Sequence, residues 1–132
     1  MIQLEPDDPP LLVGFLPASI ELPCEDGTWS VHLSARTFQH ICEKRENERT
    51  DHLSLVLSRL GTVVSEPTHV GCLSGKPNQL DLWAWTPGDL AGVLVSLKCL
   101  VGETWVSTAF PLGTKSLRKH VLHGRLRPVL GA

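Results

Sequence analysis

The stretch Gly92-Val93-Leu94-Val95-Ser96-Leu97-Lys98-Cys99-Leu100-Val101-Gly102-Glu103-Thr104-Trp105-Val106-Ser107-Thr108-Ala109-Phe110 decides how this chain folds. Two β-prone runs flank Gly102-Glu103, a two-residue hairpin signal with glycine first. With those two residues as the loop, Val101 stands opposite Thr104, Leu100 opposite Trp105, Lys98 opposite Ser107 and Leu97 opposite Thr108. Side chains alternate along a strand, so Val95, Leu97, Cys99, Val106, Thr108 and Phe110 share one face. That face is apolar enough to be core. Ser96, Lys98, Leu100, Trp105, Ser107 and Ala109 share the other, where a lysine beside a serine marks either a wet sheet surface or part of a site.

Working outward, Gly75-Lys76-Pro77-Asn78 reads as a turn before a strand over 79–86, in which Leu80, Leu82 and Ala84 alternate with Asp81, Trp83 and Trp85. Pro87-Gly88-Asp89 separates that strand from the hairpin. A short extended run over 68–73 precedes the turn, after the break at Pro67. The spacing predicts two helices upstream. Ser34 is a fitting N-cap for a helix to about residue 45, with Ala35, Phe38, Ile41 and Cys42 on one stripe. Thr50 caps a second, in which Leu53, Val56, Leu57 and Leu60 follow the i, i+3, i+4, i+7 rule and Gly61 is placed to end it.

The chain starts with an extended lead-in over 1–10 and a short apolar strand over 11–16. A further hairpin is expected between 19–22 and 28–33, around Asp26-Gly27. Residues 111–132 read as a basic tail or short helix. The predicted fold is a single α+β domain: an antiparallel sheet of about four strands with two helices packed on one face, preceded by a β-rich N-terminal segment.

Composition narrows the class. At 132 residues, 42% hydrophobic and 20% charged, the chain is long enough to bury a core without disulfides or metal. No apolar run approaches the roughly 18 residues of a membrane span, and the start lacks the layout of a secretory signal, so a cytoplasmic protein with no membrane partner is expected. Cys24, Cys42, Cys72 and Cys99 are widely spaced. His120 and His123 stand three apart without a third ligand, so no metal site is expected. No glycine-rich phosphate loop points to an organic cofactor. The net charge of −2 hides an asymmetry: Glu5, Asp7, Asp8, Glu21, Glu25 and Asp26 precede any Lys or Arg, whereas Lys115, Arg118, Lys119, Arg125 and Arg127 end the chain. Such a basic end suits phosphates or an acidic partner.

Three local strings carry a family resemblance. Ser34-Ala35-Arg36-Thr37-Phe38-Gln39-His40-Ile41 is similar to the opening helix of phage-associated nucleases of the barnase/EndoU/colicin/RelE type. Val63-Val64-Ser65-Glu66-Pro67-Thr68-His69-Val70 resembles their passage from second helix to first sheet strand, and Trp105-Val106-Ser107-Thr108-Ala109-Phe110 their closing strand. The resemblance spans about 33–110. It implies a toxin-type RNase with helices on one face of the sheet and RNA on the other, and carries His40, Ser107 and Thr108 over as catalytic candidates. It also implies RNA, and a protein such as a cognate inhibitor, as partners.

Cleavage through the 2′-hydroxyl needs an acid/base and groups that bear the phosphate charge. His40 suits the first task and Lys98, drawn in by the hairpin pairing, the second. Arg36, four residues before His40, is a candidate phosphate ligand on roughly the same helical side, and Trp105 a candidate platform for a base. Thr108 falls on the core face in this register. Either the loop is one residue longer, turning every side chain of one strand over, or Ser107 takes the role. The other reading is a non-catalytic binding module, antitoxin-like, adaptor or degenerate nuclease, whose acidic N-terminal third meets a basic partner.

Overall fold

Ser34 caps the first helix as expected: its Oγ accepts the Thr37 N–H at 3.1 Å, and its carbonyl accepts the Phe38 N–H at 2.9 Å. The computed structural model describes residues 2–24, 26–46, 50–85 and 91–129. They form β1 (Leu11–Phe15), β2 (Ser30–Leu33), α1 (Ala35–Glu46), α2 (Thr50–Ser65), β3 (His69–Gly71), β4 (Gln79–Trp85), β5 (Ala91–Leu100), β6 (Glu103–Gly113), α3 (Thr114–Leu122) and β7 (Leu126–Pro128). The fold is α+β. Its sheet runs β1-β2-β6-β5-β4-β3-β7 and is mixed, because β2 lies parallel to β6 while every other neighbour pair is antiparallel.

The expected four-stranded meander is present as β3 to β6, inside a larger sheet. It grows on one side because β2 joins β6 directly. On the other, the C-terminal basic segment folds back as α3 and β7, and Val70 pairs with Arg127. Residues 19–22 form no strand; the Ile20 N–H closes a turn on the Pro17 carbonyl at 3.1 Å, and this turn buries Ile20. Residues 86–90, where Pro87-Gly88-Asp89 is expected to end the strand, lie outside the described residues.

Two apolar layers flank the sheet. On one face Ala35, Phe38 and Ile41 of α1 and Val56, Leu57, Leu60, Val63 and Val64 of α2 pack on Leu80, Leu82, Val93, Val95, Leu97, Cys99, Val106 and Ala109. On the opposite face Leu117 of α3 closes over Trp83, Leu94 and Leu126. The helices thus occupy both faces, with α1 and α2 on one and α3 on the other. None of the described helices is long and apolar enough to cross a membrane.

Two glycines show where backbone packing overrides local signals. Gly61 does not end α2, which continues to Ser65. A Cβ at Gly61 would lie 3.4 Å from the Val13 carbonyl oxygen, so its bareness serves the close approach of α2 to β1. At Gly71 a Cβ would come within 1.9 Å of the Arg125 carbonyl oxygen, where the chain crosses between α3 and β7. Gly71→Ala should therefore destabilise the protein by about 3 kcal/mol, since backbone must move. Gly61→Ala should change stability by less than about 1 kcal/mol, the tight contact being offset by better helix propensity. Urea unfolding of the two variants beside the parent checks both values.

Candidate nucleic-acid interface on the open sheet face

The geometry of the interface starts from the β5–β6 register. The hairpin turns at Val101-Gly102, one residue earlier than the sequence suggests, with Leu100 opposite Glu103 and Gly102 at φ +72°. Contacts from outside the hairpin set this choice: the Gly102 N–H donates to the Asp26 carbonyl at 2.6 Å, and the Thr104 hydroxyl to the Thr28 carbonyl at 2.7 Å. Lys98 consequently faces Trp105, not Ser107. The register then shifts again. Leu97 pairs with Val106 but Ser96 with Thr108, which leaves Ser107 as the extra residue of a β-bulge.

The bulge reverses the alternation beyond it. Ala109 turns into the core beside Val95, and Thr108 leaves the face expected for it and stands beside Ser96 on the α3 side. Its Oγ1 is buried and has no hydrogen-bond partner. Ser107 is exposed, with its hydroxyl 3.3 Å from the Ser96 carbonyl.

On the half of this face beyond α3, one row crosses five strands. Gln79 pairs with Lys98, Lys98 with Trp105, Trp105 with His32, and His32 with Leu12. Val31 and Leu33 are fully buried on the α1/α2 side, so alternation puts His32 on the α3 side. The His32 and Trp105 rings lie 6.0 Å apart, tilted by 55°, and the indole N–H donates to the Glu103 carboxylate at 2.9 Å. Lys98 is exposed.

Next to that row Asp81 is completely buried and accepts four hydrogen bonds from three donor groups. The Leu73 N–H donates at 2.7 Å, the Gln79 amide nitrogen reaches both carboxylate oxygens at 3.0 and 3.1 Å, and the Ser96 hydroxyl makes a short bond to Oδ1. A buried carboxylate needs this many donors to remain in place. Gln79 in turn accepts the Ser74 hydroxyl at 2.6 Å, and Ser74 Oγ accepts the Lys76 N–H at 3.3 Å. Above this chain lies a groove of about 240 Å³ lined by Lys76, Pro77, Asn78, Gln79, Leu97, Lys98 and Ser107. Lys98 and Ser107, though not cross-strand partners, therefore meet at one groove.

His40 and Arg36 do not join them. Both are exposed on α1, where they line a separate groove of about 370 Å³ with Pro6, Gln39 and Glu43. Gln39 ties the acidic lead-in to this helix by donating to the Leu4 carbonyl at 2.9 Å. α1 packs on the face that carries Cys99 and Val106, so the sheet itself separates His40 from Lys98, Ser107, Thr108 and Trp105. Sequence reasoning overlooked His32, Lys76, Asp81 and Ser96. Asp81 was visible as the lone acid in an alternating strand. His32 had the right alternation, but nothing local announced Trp105 as its neighbour. Among the described residues no three His, Cys, Asp or Glu side chains gather as a metal site.

Beyond the row, α3 brings Lys115, Arg118 and Lys119 to the same side of the sheet, all exposed. At its end Arg125 donates from Nε to His120 Nδ1 at 2.9 Å and lies 3.1 Å from His123 Nδ1 through its terminal nitrogen. Burial, then the Arg125 and His123 charges, lower the His120 pKa, and Asp81 opposes them. Burial also lowers the pKa of His69, whose ring meets Trp83 edge-on at 5.4 Å. The chain matches no protein-family model, and no similar curated protein or solved structure is found.

A histidine whose folded pKa lies below its unfolded value is harder to protonate in the native state, so the unfolded chain takes up more protons in acid. The stability linked to His69 and His120 is present above their ordinary value of 6.5 and is lost as pH falls from there toward the folded values. Urea midpoints should drop between pH 7.5 and pH 5.5, and the drop should shrink in His69→Gln and His120→Gln.

Proposed function

We propose that this chain is an RNase-like domain that lays single-stranded RNA across the open half of its sheet and cleaves it with His32 as acid/base. The observation that carries this reading is the row Lys98–Trp105–His32, a cation, an indole and an imidazole on three adjacent strands. Neighbouring strands stand about 4.8 Å apart, so the cation and the imidazole flank the indole at the scale of one nucleotide. A base stacked on Trp105 brings its ribose and phosphate within the span of both.

In this mechanism the 2′-oxygen attacks phosphorus as His32 removes the 2′-hydroxyl proton. The bond from phosphorus to the 5′-oxygen breaks, and His32 returns that proton to the departing oxygen, leaving a 2′,3′-cyclic phosphate and a 5′-hydroxyl. Lys98 bears the charge that grows on the non-bridging oxygens, and the exposed Ser107 hydroxyl donates to one of them. Thr108 is set behind the bulge and Ser107 takes the phosphate contact in its place. Arg36 and His40 stay outside the reaction, on a helix whose groove also holds Glu43 and adjoins the acidic lead-in. The toxin-type role and an inhibitor that covers this face belong to the same proposal.

A second reading has one observation in its favour. The exposed side chains of Leu12 and Phe15 on β1, 46% and 61% accessible, with Trp29 at 40%, offer an apolar surface for a protein partner without any chemistry. One assay separates the two. Single-stranded RNA is incubated with the protein in EDTA, beside His32→Ala, Lys98→Ala and His40→Ala. Cleavage is expected in the parent, slowed about 100-fold or more in the His32 and Lys98 variants and unchanged in the His40 variant. Loss in His40→Ala alone would return the chemistry to the helical face, and intact RNA with every protein would favour the binding module.

A further inference from the structure

Two irregular features line the 240 Å³ groove beside the row, and a third lies behind it, hydrogen-bonded to the lining residue Gln79. Asn78 holds a left-handed backbone at φ +64°, the one non-glycine residue to do so among the described residues. Ser107 is the bulged residue of β6. Asp81 is a fully buried carboxylate whose described partners, Leu73, Gln79 and Ser96, are all uncharged. Departures from local preference that meet at one place mark a site shaped for use.

Each departure builds part of the groove. The left-handed Asn78 turns the chain into β4, and its carbonyl accepts the Cys99 N–H at 2.8 Å, which ties the turn to β5. The bulge exposes the Ser107 hydroxyl at the groove's opposite wall. Asp81 fixes the floor: through Gln79 and then Ser74 its hydrogen bonds reach the Lys76 backbone, and through Leu73 they hold the start of the same turn. Lys76 and Lys98 are thereby held at one groove, and no ion pair is described for either.

We infer that this groove is a phosphate subsite, held in shape by Asp81, for the RNA phosphodiester next to the scissile one. Lys76 supplies the positive charge and Asn78 a hydrogen-bonding amide, while Lys98 and Ser107, which serve the scissile phosphate, line the part of the groove that adjoins it. Asp81 is a positioning residue that touches no substrate. The inference rests on the RNA reading above. It adds a direction, with the strand continuing from the His32–Trp105–Lys98 row toward the β3–β4 turn, and it gives Lys76 and Asp81 roles that cleavage alone does not require.

The test uses a fluorescent 2′-O-methyl hexauridylate, which lacks the attacking hydroxyl, and follows its anisotropy across a salt series. For a single strand each phosphate contact contributes about 0.7 to the slope of log K against log salt. Lys76→Gln should bind several-fold more weakly and lower the slope by about 0.7. Lys44→Gln on α1 should leave both unchanged. Asp81→Asn, which turns an amide donor toward Gln79, should reproduce the loss of slope with Lys76 still present; Ser96→Ala takes its place if the asparagine variant does not fold. An unchanged slope in Lys76→Gln overturns the subsite, and an unchanged slope in a folded Asp81 or Ser96 variant overturns the positioning role. Since the probe resists cleavage, binding through Lys76 by a protein that leaves ordinary RNA intact would refute the RNase reading alone.

Discussion

The burial of β5 on both faces is the constraint on which the rest of the structure depends. From Gly92 to Leu97 every residue is buried, and the strand is paired along both edges. One side of it requires α1 and α2. The other requires α3, and α3 has nine residues, about 14 Å of helix against about 33 Å of ten-residue strand. It cannot cover the whole length. The uncovered end is where Lys98 and Leu100 become exposed, and the polar character of that half of the sheet follows from the shortfall.

The junction between the covered and uncovered halves is made with polar groups. Asp81 and Ser96 are buried there at the margin of the apolar layer formed by Trp83, Leu94 and Leu117. Removing a charge from water is expensive unless hydrogen bonds replace the lost solvation, and four hydrogen bonds do so here. In return the carboxylate joins β4, β5 and the turn that follows β3 through directional bonds, which hydrophobic packing does not provide. Trp83 marks the other side of the junction. Its ring lies over Gly92, where a Cβ would come within 2.2 Å of it, and its indole N–H donates to the Leu112 carbonyl at 3.0 Å.

Much of this architecture was legible in the sequence, because it is written at short range. The apolar stripes of the two long helices, the Ser34 cap and the alternation in Leu80-Asp81-Leu82-Trp83-Ala84-Trp85 each reflect a local period, and each leads to the correct element. Contacts between distant segments were not legible in this way. The turn at Val101-Gly102 is fixed by Asp26 and Thr28, Gly61 is bare because Val13 approaches it, and the bulge at Ser107 shows no glycine or other local mark. A shift of one residue in a strand turns side chains over, so Lys98 acquired the wrong partner and Thr108 the wrong face. The sequence candidates come together only in part for the same reason. Lys98, Ser107 and Trp105 share a strand pair and were found together, whereas His40 was joined to them across a sheet that separates them.

The parallel contact between β2 and β6 has a kinetic consequence. It brings together segments that the chain holds far apart, as the bond from Thr104 to Thr28 across 76 positions shows. Closing so long a loop costs entropy before any contact repays it, so pairings of this kind form late. The meander β3 to β6 consists of neighbours in sequence and can assemble first, with Lys98 already beside Trp105. His32 reaches them only when the first and last parts of the chain have met. A nascent or partly unfolded molecule therefore displays the cation and the indole without the imidazole, and the complete row is a property of the finished fold alone.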